Sequence, residues 1–279
     1  MSAIQLLVLD IDGTIAGKSN QVTPRVKAAV REVRDRGVRV VLATGRMYRS
    51  TLWFHQDLGL DTPIVAYQGA WIQDPRSDRP VLHCPLPKTI LREVFDYLET
   101  WERQDRISLH FYLDDLLYVR ETNTMTQHYL TRSRIDPVVV ADLRSLLDRE
   151  TTKLLAVSED IALLDELQAN LRQRYPVDRL YLTKSEAIYL EMADPAVNKG
   201  MAIRYLAEQQ WHLSPENVMA IGNSFNDIEM IDYAGVGVAM ADSPLELRSV
   251  ADWIAPDVNS DGVVEAIEKF ILKPAKLPL

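Results

Sequence analysis

The segment Ile4-Gln5-Leu6-Leu7-Val8-Leu9-Asp10-Ile11-Asp12-Gly13-Thr14 decides how the rest of the chain is read. Over residues 4–9 only Gln5 interrupts an apolar run, the pattern of a parallel strand buried on both faces, and the run stops on an acid. Asp10 and Asp12, two residues apart on a chain leaving such a strand, can share one pocket, one as nucleophile and the other as proton donor. Gly13 allows the turn. An Asp-rich turn capping a helix is the plainer alternative. From average residue frequencies, D-x-D-G-T arises by chance in about a few of every thousand chains this long.

Working outward, Thr23 and Pro24 read as the N-cap and first residue of a helix, Val26, Val30 and Val33 recur at helical spacing, and Gly37 stops it. A second apolar run at 38–43 completes strand, helix, strand within about forty residues, a βαβ unit with a right-handed crossover. A third run at 64–67 adds a strand. From 82 to 192 the texture changes. A helical pattern at 88–103 leads to two short runs, 108–113 and 116–120, joined as a hairpin at Asp114 and Asp115. Further strands are expected at 138–140, 154–157, 180–183 and 187–192, with an amphipathic helix at 161–172. After Asp194 and Pro195 the βα rhythm returns, with a helix from Lys199, a strand at 218–221, a helix through Met230 and a strand at 236–240. Ser243, Pro244 and Glu246 form a capping-box signature, and Asp261 heads a last helix to about residue 272. The expected fold class is α/β: a Rossmann-like parallel-sheet core of residues 1–81 and 193–279, with an α+β domain of residues 82–192 inserted.

Composition narrows the function. The 279 residues are 47% hydrophobic and 25% charged, ordinary for one or two globular domains. Lys and Arg number 31 against 40 Asp and Glu, a net charge of −9 with no long basic run, which argues against nucleic acid as a partner. One cysteine, Cys84, makes no internal disulfide and fits a reducing compartment. No stretch approaches the apolar length of a membrane span, and a signal segment is not evident, so a cytoplasmic protein is expected. The five histidines, His55, His83, His110, His128 and His212, lack metal-ligand spacing. Gly235-Val236-Gly237 lacks the third glycine of a dinucleotide loop and starts a strand.

Three more clusters sit at strand ends or helix starts, where open α/β sheets bind ligands. Thr44-Gly45-Arg46 offers a hydroxyl and backbone N–H groups to a phosphate oxygen. In Asn198-Lys199-Gly200 a lysine in a first helical turn opposes the helix dipole and calls for an anion, which a bound phosphate supplies; a solvated surface lysine is the alternative. Gly222-Asn223-Ser224-Phe225-Asn226-Asp227 gathers oxygen-bearing side chains suited to a hard divalent ion such as Mg²⁺.

In this order the clusters resemble the haloacid dehalogenase superfamily, in particular its Cof-type phosphatases with a large cap of the C2 type. The likeness runs over essentially the whole chain: D-x-D-G-T, T-G-R, the cap insertion, N-K-G, G-x-x-x-N-D, and the later V-A-M and D-G-V segments. It implies a Mg²⁺-dependent phosphomonoesterase acting on a small phosphorylated metabolite, a sugar phosphate first and flavin or pyridoxal phosphates next. By the same resemblance Asp10 attacks phosphorus to form an aspartyl phosphate, and Asp12 protonates the leaving oxygen and then activates water. Thr44 and Lys199 hold the phosphoryl group, with Gly45, Arg46 and Asn226 beside it. Mg²⁺ is served by Asp10, the backbone carbonyl of Asp12, Asn223 and Asp227. Phosphoryl transfer needs positioning and charge stabilisation above all, and a lysine with a divalent ion provides both. The insertion fits a lid that excludes water and selects the leaving group.

The chain departs from the family twice. Asn223 stands where Asp is usual; an amide oxygen still ligates but brings no charge, so a weaker Mg²⁺ site is expected. Gln68 stands where Asn commonly precedes Gly69 and Ala70, with a local effect expected. Rival readings are a phosphomutase, which returns the phosphoryl group to a substrate hydroxyl, and a non-catalytic sensor of phosphorylated metabolites. A receiver-type phospho-acceptor is shorter and has no cap. The oligomeric state is left open, a monomer included.

Overall fold

The computed structural model describes residues 3–273 and divides them into two units. The first comprises residues up to Gly45, Thr51–Val81 and the residues from Asn198 onward; the second comprises Arg46–Ser50 and Leu82–Val197.

In the first unit the apolar runs become a five-stranded parallel sheet in the order Trp253–Ala255, Val236–Met240, Val218–Gly222, Leu6–Leu9, Arg39–Leu42. Leu6–Leu9 is an inner, fully buried strand, with Leu6 opposite both Val218 and Arg39, as a run with no polar face requires. The crossover helix is Pro24–Asp35; Thr23 Oγ1 accepts from Val26 N at 3.3 Å, and Val26, Ala29, Val30 and Val33 face the sheet side of the core. Fully burying Val30 or Val33 stabilises by roughly 1.5–3 kcal/mol each. Ile64–Ala66 is joined to the sheet by a parallel bridge at Ala43 and Val65 and pairs antiparallel with Trp71–Gln73, a strand the sequence did not announce.

One helix start differs from expectation. Ser243 makes no cap: Pro244 occupies the N-cap position of Leu245–Val250, one residue nearer the helix, and the buried Ser243 hydroxyl has no hydrogen-bond partner. Asp261 does precede Gly262–Ile267, but at φ +54° its carboxylate turns away from the helix and accepts from Thr23 Oγ1 at 2.6 Å.

The second unit holds a six-stranded sheet in the order Tyr181–Thr183, Tyr189–Ala193, Lys153–Val157, Ser108–Leu113, Leu116–Val119, Val138–Val139. All pairs are antiparallel except the last. Asp114 and Asp115 close the hairpin with φ of +52° and +55°, the left-handed pair of a tight primed turn. Strand alternation divides the sheet's faces. Leu109, Phe111, Leu154, Leu190 and Met192 pack on helices Lys88–Glu102 and Ile161–Arg174, while Ser108, His110, Tyr112, Lys153 and Glu191 occupy the other face. Among the described residues no helix is long and apolar enough to cross a membrane.

Candidate active site

Three parallel strands, Arg39–Leu42, Leu6–Leu9 and Val218–Gly222, lie side by side, so the loops after them open at one edge of the sheet. Asp10 N donates to Ile221 O at 3.0 Å and anchors the first loop to the neighbouring strand. Ile11 O then accepts from Thr14, Ile15 and Ala16, which curls the chain back on itself. At the curl Gly13 has φ +86°, and the Asn223 carboxamide fills the place its Cβ would take. Thr14 Oγ1 lies 3.0 Å from Asp10 Oδ2 and 3.3 Å from Asn223 Oδ1, so one hydroxyl gathers oxygens from two loops.

Lys199 is the first residue of helix Lys199–Arg204, with Asn198 as N-cap accepting from Met201 N at 2.7 Å. Its side chain is fully buried, and Nζ lies 2.6 Å from both Asp10 Oδ1 and Asp227 Oδ1. The anion that a lysine at a helix N-terminus calls for is therefore present within the protein, as two carboxylates. The second oxygen of Asp227 accepts from the backbone N of Asn223 at 2.9 Å and of Ser224 at 3.0 Å, which folds the loop tightly around Asp227.

These charges do not balance. Burial pushes the Asp10 carboxyl up to about 7, reinforced by Asp227 and Asp12 and opposed by Lys199. Burial works against the Lys199 ammonium too, but Asp10 and Asp227 outweigh it and hold its pKa above the ordinary lysine value. Asp12 is half-buried and adds to the negative charge around Asp10.

A second group adjoins the first through the sequence neighbours Asn226 and Asp227. Thr44 is held by its backbone, N donating to Val65 O at 2.9 Å and O accepting from Gln68 N at 3.0 Å. Asn226 Nδ2 donates to Gln68 Oε1 at 2.9 Å, and Gly45 lies against the Gln68 amide. Thr44, Gln68 and Asn226 are all buried. Arg46 is buried as well but groups with the second unit.

The sequence reading gave no individual role to Thr14 or Gln68. Thr14 was legible as the last letter of D-x-D-G-T, four residues from Asp10. Gln68 was marked only as a departure from the usual Asn, and its reach was not legible, because Tyr67 and Gln68 both adopt left-handed φ, +51° and +61°, which neither residue type announces.

Among the described residues no three His, Cys, Asp or Glu side chains gather into a metal cage. Oxygen atoms of Asp10 and Asn223 instead lie together around the Thr14 hydroxyl, donors of the hard kind that Mg²⁺ takes together with water. Thr14 already brings Asp10 Oδ2 and Asn223 Oδ1 to one place, and the surplus of carboxylate over ammonium favours a cation there.

A family profile of haloacid dehalogenase-like hydrolases matches residues 7–267. The chain belongs to this family. Haloacid dehalogenase-like relatives include a phosphoglycolate phosphatase of Methanoculleus marisnigri, 29% identical over 96% of this chain and 97% of its own. A 5-amino-6-(5-phospho-D-ribitylamino)uracil phosphatase of Bacillus subtilis is 25% identical over 95% of this chain and 97% of its own. Among solved structures, a haloacid dehalogenase-like hydrolase from Bacteroides thetaiotaomicron superposes with a TM-score of 0.82 at 26% identity, covering 95% of this chain and 98% of that one. The chain is thus an enzyme of the haloacid dehalogenase-like hydrolases, and both of these relatives are named as phosphatases.

Proposed function

We propose that the chain is a Mg²⁺-dependent phosphomonoesterase of small phosphorylated metabolites, a sugar phosphate first among them, working through a phospho-Asp10 intermediate. The observation that carries this is the buried Lys199 ammonium shared by Asp10 and Asp227 at 2.6 Å each, beside a helix N-terminus and three converging loops. A lysine so placed orients the Asp10 carboxylate and offers charge to a phosphoryl group arriving at it.

In this scheme a carboxylate oxygen of Asp10 attacks phosphorus as the bond to the leaving oxygen breaks, and Asp12 gives that oxygen its proton. Asp12, now a base, takes a proton from water; the water oxygen attacks phosphorus, orthophosphate leaves and Asp10 is restored. Thr44, Gly45, Lys199 and Asn226 hold the phosphoryl oxygens. Asp10, the Asp12 carbonyl, Asn223 and Asp227 would serve Mg²⁺, Asp227 being held in place by Lys199 and the loop backbone. When bound, Mg²⁺ supplies positive charge to the nucleophile and the phosphoryl oxygens. The named activities of the relatives, on a glycolate phosphate and a ribitylaminouracil phosphate, support a small phosphorylated metabolite without selecting one.

The test is phosphate release from a panel of sugar, glycolate and cofactor phosphates, with and without Mg²⁺, for wild type and Asp10→Asn. Mg²⁺-dependent release that the variant lacks is expected. Isomerised substrate without free phosphate would instead identify a mutase, and binding without turnover a sensor.

A further inference from the structure

Gln68 stands in an unusual position for its type. Three consecutive residues, Tyr67, Gln68 and Gly69, have φ of +51°, +61° and +101°, and only the last is a glycine. Such a turn persists only where the surroundings impose it, and strained backbone collects where a side chain must be aimed. Here the aim is visible. The turn follows Ile64–Ala66, and its backbone is bonded to Thr44 O through Gln68 N at 3.0 Å.

The Gln68 side chain reaches two loops at once. Its Oε1 accepts from Asn226 Nδ2 at 2.9 Å, and its Nε2 packs so closely on Gly45 that a Cβ at that position would collide with it. Thr44–Gly45 follows Arg39–Leu42 and Asn226 follows Val218–Gly222, strands that lie on opposite sides of Leu6–Leu9. Gln68 thus spans that inner strand's loop and connects its neighbours. Asn226 retains one Nδ2 hydrogen and all of Oδ1 for another partner, and Oδ1 is buried with no hydrogen bond. A buried carboxamide with one edge tied and the other open is set to receive a ligand.

We infer that Gln68 is a positioning residue for the phosphoryl group, acting through Asn226: its carboxamide sets the distance between Asn226 and the Thr44–Gly45 turn, so that both loops close on one anion. This rests on the phosphatase reading above and adds a residue to it. The length matters as well as the amide. Asparagine at 68 is shorter by one methylene, about 1.5 Å, and cannot touch both loops. Glutamate keeps the length and the acceptor for Asn226 but sets a negative charge beside an anion.

The experiment is calorimetric binding of orthophosphate in the presence of Mg²⁺, for wild type, Gln68→Met, Gln68→Asn, Gln68→Glu, Asn226→Ala and the Gln68→Met/Asn226→Ala double variant, with KM and kcat measured alongside. Gln68→Met and Gln68→Asn are each expected to weaken phosphate about tenfold, the loss of one hydrogen bond, and Gln68→Glu more than that. KM should rise more than kcat falls, and Mg²⁺ affinity should hold. Because Gln68 acts through Asn226, the double variant should be no weaker than Asn226→Ala alone. Unchanged phosphate affinity in Gln68→Met and Gln68→Glu, or strictly additive losses in the double variant, overturns the inference. Should Gln68→Met not fold, Gln68→Glu and Gln68→Asn decide by the same criterion. A wild type that binds no orthophosphate overturns the phosphatase reading instead.

Discussion

Among the described residues two lysines are buried, one in each unit, and each is ion-paired. Lys199 has carboxylate oxygens of Asp10 and Asp227 at 2.6 Å; Lys153 has Glu191 Oε2 at 2.8 Å. The residue types and burial are alike, but the settings differ. Lys153 and Glu191 sit within adjacent antiparallel strands, where ladder hydrogen bonds fix both backbones. The Tyr112 ring lies 4.9 Å from Lys153 Nζ, and Ser185 Oγ donates to Glu191. There the ammonium and the carboxylate are paired directly, Nζ to Oε2. Lys199, in contrast, stands at a helix start among loops that follow strands, and it meets two carboxylates with a third, Asp12, close enough to raise the Asp10 pKa. A balanced buried pair holds a fold together only while both partners remain, whereas an unbalanced one leaves negative charge that a cation or a reacting group can meet.

The contrast can be broken most forcefully at Asp10. Asp10→Asn should lower turnover by about 10³-fold or more, as removal of a covalent nucleophile does. It should leave thermal stability equal or higher, since it removes one of two carboxylates from a single ammonium. A turnover rate within a few-fold of wild type would contradict the assignment.

Lys153→Met should do the reverse. It strands the Glu191 carboxylate and should cost about 3–5 kcal/mol in denaturant unfolding, and pairing it with Glu191→Leu should recover most of that loss. Equal destabilisation by the single and double variants would show that the pair is not a unit.

His110, on the same face as Lys153, sharpens the comparison through pH. Burial holds its pKa down at about 3, with Lys153 adding to the effect, so the folded ring is neutral. Above about pH 6.5 the unfolded histidine is neutral too and the two states do not differ. As pH falls from about 6.5 toward 3, the unfolded chain takes a proton that the folded chain refuses, and stability falls by up to about 1.4 kcal/mol per pH unit. The difference in stability between wild type and His110→Gln, measured from pH 7 to pH 4.5, should carry that slope. A difference independent of pH would mean that the ring takes up its proton in the fold as readily as in the unfolded chain.

The smallest effect concerns the uncharged donor of the active-site loop. Asn223→Asp adds the charge that relatives of this kind commonly carry and should lower the Mg²⁺ concentration for half-saturation by about tenfold. An unchanged midpoint in a direct metal titration would show that Asn223 lies outside the metal site.

The sequence revealed these two lysines unequally. Lys199 was legible because its partners are written in short motifs at strand ends: D-x-D-G-T, N-K-G and N-D each occupy a few adjacent residues. Lys153 was not, because its partner Glu191 is 38 residues away and the pairing depends on strand register. The same division holds elsewhere. The first βαβ unit, the Asp114–Asp115 hairpin and the Asn198 N-cap follow from local spacing and turn chemistry. Helix Thr124–Ser133 carries three threonines, poor helix formers, and no apolar stripe was read from it. Trp253–Ala255, three residues long, becomes a strand by pairing with Val236–Met240. Ser243 had the right letters one position too early, and Gln68 acquires its importance from a left-handed backbone that no local signal marks.

The most direct test is to capture the acyl phosphate itself. Borohydride reduction during turnover of a substrate from the panel, followed by peptide mass spectrometry, should find homoserine in place of aspartate at position 10 in the wild type. Modification at another carboxylate, or none at Asp10 under conditions of measurable phosphate release, would contradict a mechanism built on Asp10 and Lys199.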